Sequence, residues 1–168
     1  MPWLVTALTF FVSAAPAQAD GLALQTYEDQ QMRVDLPRGW TIQRVNGGRT
    51  LIAIESTQGS KAVITIDRLP PGSDIDSSAA QSLIAKNKPR GYRRIGTAVD
   101  GKVMILLGNE PPGRVAAYVA KARDVAVGNV LVMFLGPGER FDRYDGVDLV
   151  QNVAHSVGHP GRRGSAAA

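Results

Sequence analysis

An α+β fold, an antiparallel sheet of about six to eight strands flanked by two main helices, is predicted by three features of this sequence. After Asp20 the hydrophobic period is mostly two. Turn-forming pairs such as Gly47-Gly48 and Gly128-Asn129 separate the alternating stretches at hairpin spacing. Helical spacing of apolar residues is confined to two segments, one after Pro71 and one after Gly138.

The first strands are read at Met32–Leu36, Trp40–Val45 and Thr50–Glu55, with Gly47-Gly48 turning between the last two. Gln58-Gly59-Ser60 leads into Ala62–Leu69, where Thr65 and Asp67 alternate poorly with their neighbours, so part of this strand is expected to be buried on both faces. Pro70-Pro71-Gly72 ends the meander, and the oxygens of Ser73 to Ser77 can cap a helix reaching about Lys88, with Ala80, Leu83 and Ile84 on one face. Pro89 and Gly91 stop it. Strands follow at Tyr92–Val99 and Val103–Leu107 around an Asp100-Gly101 turn, then at Arg114–Ala126 and Val130–Leu135. Gly136-Pro137-Gly138 breaks the sheet. Val147, Leu149, Val150, Val153 and Val157 then place one helix over Glu139–Val157, with Gly146 as a weak point near its start. Trp40, Ile52, Ile64, Ile105, Val119 and Phe134 are the expected core.

Met1–Ala19 carries no Asp, Glu, Lys or Arg, and its short apolar run Leu4–Val12 precedes Ala17-Gln18-Ala19, the small-x-small pattern that signal peptidase accepts. The run falls short of the ~20 apolar residues a spanning helix needs. The expected organisation is a signal peptide over 1–19, one domain over 20–158 and a disordered tail over 159–168, in a protein exported to the periplasm or beyond. With no cysteine, disulfides, thiol chemistry, lipid attachment to a cysteine and cysteine-based zinc sites are all excluded. Nineteen Lys plus Arg against fifteen Asp plus Glu leave a net charge of +4, too little for a dedicated nucleic-acid binder.

The segment Met32-Arg33-Val34-Asp35-Leu36-Pro37-Arg38-Gly39-Trp40, with Tyr27 before it, contains a Leu-Pro-x-Gly-Trp signature that resembles the PsbP-like family. Asp100-Gly101-Lys102 and the terminal helix extend the likeness over roughly residues 26–157. The same residues make physical sense of the signature: Pro37 fixes φ, Gly39 can take a positive φ, and Trp40 supplies a large core contact. The resemblance implies a PsbP-like sandwich and non-catalytic binding or assembly work, and it offers no catalytic residue.

Several residue groups could carry chemistry. His155 and His159 are four apart, the spacing at which two imidazoles can share a metal ion, but two ligands do not make a site and Pro160 places His159 past the helix end. No metal and no cofactor are expected. Asp142, Asp145 and Asp148 read as a solvated face and a helix N-terminal acid, since the glutamate of a calcium loop is missing. Asn46-Gly47-Gly48 lacks the surroundings of a phosphate loop and reads as a turn.

The densest signal is basic. Lys86, Lys88, Arg90, Arg93 and Arg94, with Tyr92 among them, form a candidate partner-binding segment for an acidic protein surface. The same cations would also suit a helix C-terminus. The sequence therefore predicts an exported binding or accessory subunit. The alternatives are a small-ligand or metal carrier and, further off, a hydrolase built on two convergent carboxylates.

Overall fold

The computed structural model describes residues 22–59, 61–87, 91–99, 102–108, 113–123 and 127–161. The expected signal peptide, Lys88, Arg90, the Asp100-Gly101 turn and the tail beyond 161 lie outside the described residues.

The chain is α+β: the described residues form a seven-stranded antiparallel sheet, a separate two-stranded sheet and three helices. Strands β1 (Leu24–Glu28) and β2 (Arg33–Pro37) pair with each other. The main sheet is formed by β3 (Thr41–Val45), β4 (Thr50–Ile54), β5 (Val63–Leu69), β6 (Arg93–Ala98), β7 (Val103–Leu107), β8 (Arg114–Lys121) and β9 (Asn129–Gly136), in the order β3-β4-β5-β9-β8-β7-β6. Two meanders thus join where β9 pairs with β5, and helix α1 (Ser78–Asn87) connects them.

The turn from β2 to β3 follows from its residues. Gly39 has φ +78°, a conformation that costs a residue with a Cβ, and it lets Trp40 enter the core at 8% exposure. There the indole meets Tyr144 edge-on, with ring centroids 6.2 Å apart.

Register sorts the sheet into two faces. On one, Leu51, Ile64, Ile66, Val132 and Phe134 pack under the two-stranded sheet and the C-terminal helices. On the other, Leu131, Met133, Val115 and Leu106 pack with Ala80 and Ile84 of α1. Of the expected core, Trp40, Ile64 and Phe134 are buried, whereas Ile52, Ile105 and Val119 are only half-buried. Helix length explains part of this: α1 has 10 residues, about 15 Å, and a seven-stranded sheet is roughly 29 Å wide, so one end of the α1 face lies past its reach. Ile52 stands there.

The terminal helix expected over Glu139–Val157 is two helices, α2 (Gly138–Arg143) and α3 (Gly146–Ser156). Asp145, in the left-handed region at φ 46°, caps α3 by accepting from the Asp148 amide at 3.3 Å. Gly146 lies under Phe141, where a Cβ would stand 2.7 Å from the ring. Tyr144 is held by the buried carboxylate of Glu55, which accepts its hydroxyl, and Arg140 pairs with the same carboxylate at 3.6 Å. A continuous helix would turn these anchors away from the sheet.

Helix α1 starts directly after the expected capping residues: Ser77 receives the Ala80 amide at 3.4 Å, and a turn closed by the Ser77 amide on the Asp74 carbonyl at 3.2 Å precedes it. The chain after α3 closes back on β2 through the Arg33 and Gly158 backbones, at 2.9 and 2.8 Å.

Candidate functional site

The described cations of the basic segment, Lys86, Arg93 and Arg94, are close in sequence and divided in space. Lys86 is exposed at the C-terminal end of α1 and borders a cavity beside β5. Arg93 and Arg94 begin β6, which β9, β8 and β7 separate from β5, a distance of about 19 Å at normal strand spacing. The guanidinium of Arg94 reaches Asp76, just before α1, at 3.4 Å. Helix α1 therefore crosses the sheet from the β6 end to the β5 end and carries Lys86 away from the arginines.

Tyr92, whose ring the sequence places among interface residues, is instead a core residue at 8% exposure. Its ring covers the backbone of Gly108, where a Cβ would come within 2.6 Å, and burial pushes its hydroxyl pKa above 10.0.

The cavity at the other end has a volume of about 520 Å³ and lies between the β3–β4 turn, the end of β5 and α1. The turn is Asn46-Gly47-Gly48, all three at positive φ, which brings the Asn46 side chain back over β4. Its amide nitrogen donates to the Thr50 hydroxyl at 3.0 Å, and that hydroxyl donates to Asp67 Oδ1 at 2.5 Å. Thr50 and Asp67 are opposed residues on β4 and β5, both 3% exposed.

The second oxygen, Asp67 Oδ2, is buried and has no hydrogen-bond partner among the described residues. Burial raises the pKa of this carboxyl, and the Thr50 bond and the charge of Lys86 offset that only in part.

Three exposed cations border the same cavity: Arg49 from the turn, Arg68 from β5 and Lys86 from α1. Arg68 donates to the Gln31 carbonyl, and Gln31 is held by an Asx turn in which Asp29 accepts its amide at 2.8 Å. Asp29 is pushed up by burial, yet the Gln31 and Met32 amides and Arg44, paired with it at 2.7 Å, hold its pKa below 3.8. Arg49 and Lys86 form no ion pair with another described residue.

The contrast with the other buried acid is instructive. Glu55 receives Tyr144, the Ala62 amide at 3.2 Å and the charge of Arg140, so its oxygens are all occupied in holding the fold. Asp67 retains accepting capacity that the described chain does not use.

The other groups singled out in the sequence engage neighbours within the fold. Tyr118 meets His155 at 3.2 Å with the rings nearly perpendicular, while His159 turns its Nδ1 to the Pro160 carbonyl at 2.7 Å. Asp142 pairs with Arg114 at 2.5 Å. Among the described residues no three His, Cys, Asp or Glu side chains come together as metal ligands, and no helix is long and apolar enough to cross a membrane.

Of the residues lining this cavity, the sequence singled out Lys86, though for docking on an acidic protein surface, and read Asn46 only as part of a turn; Arg49, Thr50, Asp67 and Arg68 were not singled out as site residues. One signal was present: a carboxylate in a strand expected to be buried on both faces needs a partner or a purpose. No protein-family model matches the chain, and no curated protein matches it significantly.

Proposed function

We propose that this chain is a non-catalytic binding domain of an exported protein and that it holds a small anionic ligand in the cavity between the β3–β4 turn and α1. The observation that carries the reading is the convergence of Arg49, Arg68 and Lys86, from three separate elements, on one concavity. Its volume falls in the range of about 300–1,000 Å³ common to small-molecule sites. Binding is preferred to hydrolysis because Asp67 is the sole carboxylate among the described residues around the cavity, whereas the hydrolase alternative requires two.

The test is a titration of the isotopically labelled chain with acetate, succinate and inorganic phosphate. Amide shifts should concentrate at residues 46–50, Asp67 and Lys86, and the Arg49→Gln/Lys86→Gln double variant should bind at least about tenfold more weakly. Shifts scattered over the surface, or none, would refute the reading. Export rests on the Ala17-Gln18-Ala19 pattern, and mass spectrometry of the secreted chain should find Asp20 as its first residue.

A second reading, docking on an acidic protein surface, is favoured by the outer edge of β6, where Arg93 is exposed beside Ile95 at 49% exposure. It fits the accessory work that the PsbP-like resemblance implies. Arg93→Glu should weaken partner capture and its salt sensitivity; unchanged capture would remove the edge from consideration.

A further inference from the structure

We propose that the ligand of this cavity is a small zwitterion, of amino-acid to dipeptide size, whose ammonium group meets Asp67 and whose carboxylate meets Arg49 and Lys86. The proposal rests on the binding reading above and deepens it. It comes from the polarity of the cavity along its depth.

The charged groups are not mixed. Of the described residues lining the cavity, Arg49, Arg68 and Lys86 are exposed, which puts them at its mouth, while the single acid, Asp67, is 3% exposed, which puts it at the base. A simple anion is attracted by the mouth, but a carboxylate lies beneath it. A simple cation finds a partner at the base only after passing three positive side chains. A molecule with opposite charges at its two ends satisfies both layers.

The hydrogen bonds fix which chemistry the base accepts. The Asn46 amide nitrogen can only donate, so the Thr50 oxygen receives it and spends its own proton on Asp67 Oδ1. The relay thus runs from Asn46 through Thr50 and ends on Asp67 Oδ1, which leaves Oδ2 as an accepting oxygen with no donor among the described residues. A buried acceptor of this kind is costly to leave empty, and a ligand N–H supplies what is missing. An ammonium also supplies the counter-charge that burial denies the carboxylate. No bond is made or broken on binding.

Calorimetric titration of the purified chain with free dipeptides, each compared with its N-acetylated and its C-amidated form, tests the assignment. Acetylation removes the ammonium and amidation removes the carboxylate, so each should weaken binding by at least about tenfold relative to the free dipeptide. Asp67→Asn, which keeps the acceptor for Thr50, should abolish the preference for the free over the N-acetylated form. Arg49→Gln/Lys86→Gln should abolish the preference over the amidated form.

Equal affinity for free and N-acetylated dipeptides in the unmodified chain would overturn the zwitterion assignment while leaving an anion site in place. Absence of binding by dipeptides, free amino acids, acetate and phosphate alike would overturn both. The comparison of ligands on the unmodified chain holds even if a variant fails to fold.

Discussion

Replacing Gly146 with Ala sets two effects of known size against each other. In an ordinary helix position the change favours folding by up to about 1 kcal/mol, because Gly has the poorer helix propensity and a freer unfolded chain. Here the added Cβ would lie 2.7 Å from two atoms of the Phe141 ring and 3.0 Å from Phe134. Ordinary contact begins near 3.4 Å, so Phe141 must withdraw by about 0.7 Å.

Neither ring has room. Phe134 is fully buried, and Phe141 lies between it, at a centroid distance of 5.9 Å, and the guanidinium of Arg114, at 5.7 Å. Overpacking of this kind costs about 1–3 kcal/mol, so the clash should win and Gly146→Ala should lose roughly 1–2 kcal/mol. That corresponds to a fall in Tm of about 2–8 °C for a domain of this size. Urea unfolding followed by fluorescence and circular dichroism would measure it. In a Phe141→Leu background, which leaves space over Gly146, the loss should shrink, and the coupling between the two changes isolates the contact. A Gly146→Ala chain as stable as the parent, or more so, would refute the argument that Phe141 leaves no room for a side chain at the start of α3.

The remaining predictions concern the polar groups. Folding raises the pKa of Asp67, so the folded chain binds its proton more tightly than the unfolded chain; stability from this group is complete below about 3.8 and is lost as pH rises through the folded value. Asp67→Asn should remove that decline, and superimposable pH–stability profiles for parent and variant would contradict it. Tyr144→Phe leaves a buried Glu55 oxygen without its donor and should cost about 1–3 kcal/mol in denaturant unfolding, whereas no loss would mean that Arg140 and the Ala62 amide suffice. His155→Ala with His159→Ala should leave the heat of zinc titration unchanged, since the imidazoles engage Tyr118 and the Pro160 carbonyl; a lost zinc signal would revive the metal carrier.

Most strands were legible because their information is local. Alternation over Thr50–Ile54 or a Gly-rich pair at 47–48 depends on near neighbours, and the expected strands are observed within a residue or two of their places, except that β8 ends at Lys121 where the strand was expected to reach Ala126. Strand β1 was not legible: Leu24-Gln25-Thr26-Tyr27-Glu28 has no clean period, and only Leu24 and Tyr27 pack against the core. The α2–α3 break was half-legible, through Gly146, because the contacts that enforce it come from Glu55, directly after β4, and from Phe134 of β9.

The candidate site shows the same division. Sequence by itself determined the α+β class, the hairpins, the positive φ at Gly39 and the burial of Trp40, since periodicity, turn chemistry and side-chain volume act between near neighbours. Only the tertiary structure decided that Lys86 would leave Arg93 and Arg94 and join Arg49 and Arg68, and that Asp67 would face Thr50 with one oxygen unfilled. The physical reason is that charge proximity follows strand order, and strand order is settled by how β9 docks on β5, a pairing between residues 60 to 72 positions apart.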